Sequence, residues 1–508
     1  MRSPALPVAA GQPRRATVTP AAGTSAAAMW WPLIAITALA ALLRLGTLGM
    51  QSFWYDEAFT PVHVLHASLG ATLHAVVHTE NTPPLWYVLE WGVSRALGTG
   101  VVALRLLSAL AGIATVPVAW AIGRELAGRR AAIVTAALVA VNPLFVWYSQ
   151  EARAYGLFVL TSSLAMLCFL RARREPTRRR LGAFALAASL ALLTHYFAAF
   201  LLIGMVLWLG WERRANLRAT LPFLLAPALV GVALIPLILA QAGHGTQWIG
   251  EWALSSRLAS IPQYYLTGYT GSSLGHGVQL LVFLVILAGV GYGLWSTLLA
   301  REERGALIAL AVLAGGVAIP IVLAALGADY LAPRNLVAAM VPLTALLAIV
   351  IGAQRTGRAG VALAGLLALT FLVLTVDVNL SPRLQRGDWA GVAKVLRSAP
   401  PDRVIATVEL GAAPLEYYLP PLRNLARGST VAVVEVDETG YAPLRRSAGS
   451  PPAPGLRLAE RRDVHGLIVY RFTSRAPVTI SEDTLRRHVI TLARPEVLVP
   501  VPPAGKKI

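Results

Sequence analysis

The feature that most constrains this chain is its repeated apolar runs. A helix needs about 20 apolar residues to cross the hydrocarbon layer of a membrane. Eleven runs approach or reach that length, near 30–48, 104–123, 131–148, 154–170, 181–195, 197–211, 220–240, 277–298, 306–327, 335–352 and 359–376. The fifth and sixth are short and abut at His195-Tyr196, so they read as two helices or as one bent unit. Only 14% of the residues are charged, against about 25% in soluble domains. The fold class expected is a polytopic α-helical membrane protein with about eleven spans.

Where the charges fall gives the orientation. Arginines cluster in alternate connections: Arg14-Arg15, Arg124/Arg129/Arg130, Arg171 to Arg180, Arg213/Arg214/Arg218, Arg301/Arg304 and Arg355/Arg358. The other connections hold only Arg95, Arg105, Arg153, Arg257 and Arg334. Basic residues are retained on the cytoplasmic side, so the N-terminus is expected inside and the region after about Val378 outside. The net charge of +19 is spread as punctuation between apolar runs rather than on one face. That distribution argues against a nucleic-acid partner. Cys168, the only cysteine, lies in an apolar run and reads as a packing residue.

Three regions follow. Residues 1–28, rich in Ala, Pro and Thr, read as a disordered cytoplasmic tail, and 29–377 as the transmembrane domain. Residues 378–508 read as a small extracytoplasmic α/β domain, frayed after Leu498. Its expected elements are a helix over Asp388–Arg397 and strands at Val404–Val408, Val431–Val436 and Gly466–Phe472. Segment 83–98 is too short to span and carries Glu90 and Arg95. Counting it as a span would move the Arg171–Arg180 block outside, so it reads as an interfacial or re-entrant helix begun by Pro83-Pro84.

The long first outer loop, about 49–103, carries the candidate chemistry. Asp56 and Glu57 sit among aromatic residues at the membrane surface, where a carboxylate is costly and its pKa adjustable by burial. A solvated pair beyond a helix end is the plainer reading. Glu151 lies on the same side, in Trp147-Tyr148-Ser149-Gln150-Glu151-Ala152-Arg153-Ala154-Tyr155, either as a candidate acid or as a surface partner of Arg153. Arg153 and Arg334 are rare outer cations suited to a phosphate. His78 with Glu80, and His195, complete the set. The histidine spacing fits no standard zinc motif; a divalent cation held by Asp56, Glu57 or Glu151 is the metal possibility. No Gly-rich nucleotide loop or Walker lysine is present.

In order along the chain, these residues resemble a known family. Arg44-Leu45 through Phe53-Trp54-Tyr55-Asp56-Glu57-Ala58 resembles a first-loop acidic motif. His78 with Asn81-Thr82-Pro83-Pro84-Leu85-Trp86-Tyr87, then Arg105-Leu106-Leu107-Ser108, follow it. Next come Asn142-Pro143 with Tyr148 to Tyr155, Thr194-His195-Tyr196, Pro333-Arg334-Asn335-Leu336 and Asp388-Trp389. The pattern is similar to bacterial family-39 type glycosyltransferases of the C-type membrane superfamily, relatives of protein O-mannosyltransferases and lipid A aminoarabinose transferases. Asn335 departs from it, since the family more often has Tyr there. The resemblance implies transfer, with inversion, from a polyprenyl-phosphate sugar such as mannose. The acceptor is a hydroxyl on a glycan, lipid or protein, on the extracytoplasmic side of the cell membrane. It implies Asp56 as base, with Glu57 and Glu151 positioning acceptor, sugar or a metal bound at Asp56 and Glu151. His78, Glu80, Arg153, Tyr155, His195 and Arg334 are the implied substrate contacts. A lipid-linked substrate transporter or flippase, or a non-catalytic membrane subunit, are the alternatives. A transporter usually places ionisable groups near the bilayer midplane and often has paired repeats; here the acids gather at the outer interface.

Overall fold

The computed structural model describes residues 26–296, 298–397, 402–419 and 421–501. The tail expected over 1–28 falls almost wholly outside them, as do residues 502–508. The chain opens with α1 (Ala26–Leu45), followed by the short loop helices α2 (Tyr55–Phe59), α3 (Leu69–Thr79) and α4 (Leu85–Leu97). The first bundle comprises α5 (Val101–Ala127), α6 (Arg129–Val141), α7 (Pro143–Ser149) and α8 (Tyr155–Arg174). Then come α9 (Arg178–Thr194), α10 (Ala198–Glu212), α11 (Leu217–Ala233) and α12 (Ile235–Gln241). A second loop holds α13 (Gln247–Glu251) and α14 (Leu254–Thr267). The last four membrane-region helices are α15 (His276–Trp295), α16 (Ala300–Ala325), α17 (Met340–Ile351) and α18 (Gly357–Leu380).

Each of the eleven apolar runs lies on helix, but they are not eleven equal crossings. Seven described helical stretches are long and apolar enough to cross a membrane, and an eighth is if α6 and α7, bent by 58°, count as one. α1, from Trp30 on, and α10 are shorter apolar helices. α9 and α10 are separate, broken at His195-Tyr196-Phe197. At 13 residues α4 is about 20 Å long, which fits an interfacial or re-entrant helix and not a full crossing.

The bend between α6 and α7 has a local cause. Pro143 has no N–H to give, and Asn142 caps α7 by accepting from the Leu144 N–H at 2.9 Å. The carbonyls left at the end of α6 need donors that lipid does not supply. Buried Arg44 provides them, donating to Ala140 O at 2.8 Å and Val139 O at 3.2 Å. Gln150 returns the arrangement, donating to Arg44 O and to Thr47 Oγ1 at the end of α1. Small residues let these elements approach closely: a Cβ on Gly112 would meet the Ser149 side chain, and one on Gly156 the Ser108 backbone. α8 and α17 are mostly buried, whereas α11 and α15 present Leu and Val to the surroundings.

Beyond α18 the chain forms α19 (Trp389–Leu396), capped by Asp388, and then a six-stranded sheet. Its strands are β1 (Arg403–Val408), β2 (Leu422–Asn424), β3 (Thr430–Tyr441), β4 (Arg457–Val464), β5 (Leu467–Ser481) and β6 (Pro495–Pro500). Helices α20 (Glu409–Tyr418) and α21 (Glu482–His488) pack with it. The order is β2-β6-β1-β3-β5-β4, with β1 and β3 parallel and the other pairs antiparallel. The expected helix and three expected strands are all present. The chain does not fray at Leu498: β6 pairs with β2 as far as Pro500.

Charge and fold segregate by end. The Phe53 N–H donates to Tyr418 Oη at 2.8 Å and Tyr417 Oη donates to Thr99 O at 2.8 Å, so the sheet sits over the Asp56 loop. At the opposite end the basic connections meet. Arg130 donates to the carbonyls of Ala353, Gln354 and Gly357, and Arg301 to Arg124 O. In a Cys168→Ser background, Ser450→Cys should react with a membrane-impermeant maleimide in intact cells. Arg179→Cys should react only after permeabilisation; the reverse pattern would invert the topology.

Candidate active site

The first loop is anchored by a buried ion pair. Arg105, one turn into α5, donates through Nε and Nη2 to the two Glu57 carboxylate oxygens at 2.7 and 2.6 Å. Its Nη groups also bond the carbonyls of Leu48, Gln51 and Ser52. Glu57 accepts in addition from the Ala152 N–H at 2.9 Å, and Arg386 lies 3.5 Å away. Burial pushes this carboxyl upward, but Arg105 and Arg386 outweigh it and hold Glu57 below the usual carboxylate range. Glu57 is fully buried and both oxygens are taken. The expectation that it positions substrate directly is therefore corrected: it holds together the first loop, the second loop and the segment leading to the sheet.

Most of the sparse outer arginines have the same fate. Arg153 forms a two-pronged bond with Glu80 at 3.0 and 2.8 Å, which occupies both expected substrate contacts. Arg257 is likewise paired with Asp329, both bonds at 2.6 Å. These side chains build the loops. His78 is exposed, stacks on His74 at 4.2 Å and bonds His74 O; it has no hydrogen bond or ring contact with Asp56, Glu151 or Arg334. His195 is buried at the α9–α10 break, where Nδ1 accepts from the Phe197 N–H at 3.2 Å and the ring stacks on Phe158 at 4.4 Å. Tyr155 lies 5.8 Å from that ring and 4.8 Å from Tyr148.

Asp56 and Arg334 differ from these. Arg334 donates one Nη1 bond to Asp56 Oδ2 at 2.7 Å, and both side chains keep about a fifth of their surface open. The guanidinium lies over Trp248 at 5.0 Å. The other Asp56 oxygen has no protein partner among the described residues. The two groups come from loops 278 positions apart.

Glu151 completes the acids. Its Oε2 accepts from Arg386 Nη2 at 3.1 Å, and Oε1 has no partner among the described residues. Burial raises its pKa to about 7; Arg386 opposes the rise and the charges on Glu57 and Asp56 add to it. Arg386 also stacks on Trp147 at 4.0 Å and bonds Gln51. An aromatic wall continues through Tyr269, 5.2 Å from Trp147, 6.4 Å from Trp54 and 5.4 Å from Tyr264. Trp54 Nε1, Trp147 Nε1 and Tyr148 Oη, like Glu151 Oε1, are buried polar atoms with no partner among the described residues. Buried polar atoms usually are bonded, so these four mark a place where a polar ligand would complete the bonding.

Sequence reasoning missed Arg386 and Tyr269. Arg386 had a signal, since it lies two residues before Asp388-Trp389 on the side where cations are few. A metal held by Asp56 and Glu151 does not fit the geometry. Each carboxylate already receives a guanidinium, and among the described residues no three His, Cys, Asp or Glu side chains converge.

The apolar helices and the small sheet beyond them define a multi-pass α-helical membrane protein. Residues 81–239 match the dolichyl-phosphate-mannose-protein mannosyltransferase family. ArnT from Cupriavidus metallidurans, solved bound to undecaprenyl phosphate, superposes with a TM-score of 0.52 at 14% identity, covering 87% of this chain and 98% of that one. The Archaeoglobus fulgidus oligosaccharyltransferase gives a TM-score of 0.44 at 17% identity, covering 76% of this chain and 57% of that one. No curated protein sequence matches. Over residues 81–239 the chain is thus similar to the protein mannosyltransferases, and in fold it is similar to ArnT.

Glu57→Gln should cost about 3–5 kcal/mol, because it strands Arg105 in a dry site. The stability from the native pair is present above the ordinary Glu pKa and is lost as pH falls through the depressed one. Thermal melting in detergent checks both; an unchanged melting temperature would show that the pair anchors nothing.

Proposed function

We propose that the protein transfers a sugar, mannose or one like it, from a polyprenyl-phosphate donor to a hydroxyl on a glycan, lipid or protein, inverting the anomeric carbon. The observation that carries this reading is the half-open Asp56–Arg334 pair, 2.7 Å apart at the membrane end, whereas Glu57, Glu80 and Asp329 are paired off. A carboxylate with one oxygen fixed by a guanidinium and the other uncommitted suits a general base. It takes the acceptor proton as the acceptor oxygen bonds to the anomeric carbon, while the bond from that carbon to the phosphate oxygen breaks. The leaving polyprenyl phosphate keeps the bonding electrons. Its charge is met by Arg334, whose fork has donors beyond the one given to Asp56. Trp54, Trp147 and Tyr148 offer unfilled hydrogen-bonding groups, and Tyr269 an apolar face, to a sugar ring. ArnT, solved with undecaprenyl phosphate on a similar fold, supports the lipid-linked donor.

Glu151 serves as a neutral donor in this scheme. With Oε2 accepting from Arg386, the proton resides on Oε1, free to bond a sugar hydroxyl or the phosphate. As pH rises through about 7 it ionises, removing that bond and placing negative charge near the leaving phosphate. The rate should therefore fall across that range.

Purified protein incubated with a panel of radiolabelled polyprenyl-phosphate sugars should give product with at least one donor. Asp56→Asn should lower kcat by roughly a hundredfold to ten-thousandfold; equal rates would remove Asp56 as base. Glu151→Gln should keep measurable activity and lose the alkaline decline near neutrality. A variant with the wild-type pH profile would exclude this role for Glu151.

A further inference from the structure

A cavity lies at the other end of the molecule from Asp56, and nothing in the proposed transfer uses it. It has a volume of about 590 Å³ and is walled by the ends of α1, α5, α6, α8 and α16. From Arg105 beside Glu57 to Arg124 on its wall, α5 runs 19 residues, about 28 Å at 1.5 Å per residue. The cavity is therefore a hydrocarbon thickness away from Asp56.

Its lining is two-sided. Arg124, Arg129, Arg171, Arg174 and Arg301 contribute five guanidinium groups, and Glu125 is the only carboxylate among the described residues that line it. Glu125 is 3.7 Å from Arg171 and 3.4 Å from Arg174, long contacts with half-exposed or exposed arginines that leave most of their donors outward. Trp30, Leu33, Pro117, Trp120 and Ala121 form the apolar remainder. Trp30 and Trp31 are exposed at this end of α1, as aromatic residues are at a membrane interface.

We propose that this cavity holds the headgroup of an anionic phospholipid of the leaflet opposite the Asp56 site. The phosphate lies among the arginines, whose planar forks match its oxygens. The glycerol and the first methylenes lie against Leu33, Pro117 and Ala121. Basic pockets between membrane helices recognise lipid headgroups through this combination of charge and apolar wall. The chain's own N-terminal segment is not the complementary occupant: residues 1–25 carry three arginines and no carboxylate. A free anion would use the arginines but leave the apolar wall unfilled.

The test is native mass spectrometry of the purified full chain titrated with phosphatidylglycerol, phosphatidylcholine and soluble glycerol phosphate. Phosphatidylglycerol should be retained at a concentration roughly tenfold or more below phosphatidylcholine, and glycerol phosphate should not displace it. The triple variant Arg124→Gln, Arg171→Gln, Arg174→Gln should bring the two lipids level. Arg178→Gln with Arg179→Gln, which changes basic residues at the same end but outside the cavity, should preserve the preference. Equal retention of both lipids by the unaltered protein, equal loss in the two variants, or displacement by glycerol phosphate would each overturn the proposal. The comparison of lipids on unaltered protein decides the matter even where the triple variant does not fold.

Discussion

The rest of the outer end depends on the pair formed by Glu57 and Arg105. Placing two charges in a site with no exposure is expensive, and the cost is recovered only if every oxygen and N–H is bonded. Here that condition draws in much of the chain. Arg105 binds three carbonyls of the loop after α1, and Glu57 binds the backbone of the second loop. Arg386 brings the segment that leads to the sheet. The pair thus fixes the loop on which Asp56 sits, although Glu57 itself has no surface left for a substrate.

A division of labour among the acids follows from how they are bonded. Glu57, Glu80 and Asp329 each take a two-pronged guanidinium bond and serve the scaffold. Asp56 takes a single bond from Arg334 and stays partly open, and Glu151 keeps one oxygen unbonded. In a low-dielectric setting, the uncommitted groups are the ones able to respond to a ligand. The same reasoning separates Arg334 from Arg153: the first has donors to spare, and the second has its two Nη groups committed to Glu80.

Much of the fold was legible because its signals are local. Apolar length marks helices, arginine clusters mark alternate connections, and β-branched runs mark β1, β3 and β5. Asp388 marks a helix start that the structure keeps, whereas the break at Asn142-Pro143 inside the 131–148 run was not read. The failures have a common cause. Glu57, Glu80 and Arg153 were read as chemistry because they are charged residues in an odd place. Whether such a charge is spent or available depends on a partner dozens of positions away. Arg386 was missed for the converse reason: its partners Gln51, Glu57 and Glu151 lie at least 235 positions distant.

The sequence by itself determined that this chain is a multi-pass membrane protein. It also put Asp56, Glu151 and Arg334 on one side, because hydrophobic length and charge bias act residue by residue along the chain. The tertiary structure decided which of the acids is free. Only packing sets the distance between Asp56 and Arg334, leaves Glu151 Oε1 without a partner among the described residues and closes Glu57 inside. Burial and pairing are properties of the space between segments, and no single segment carries them.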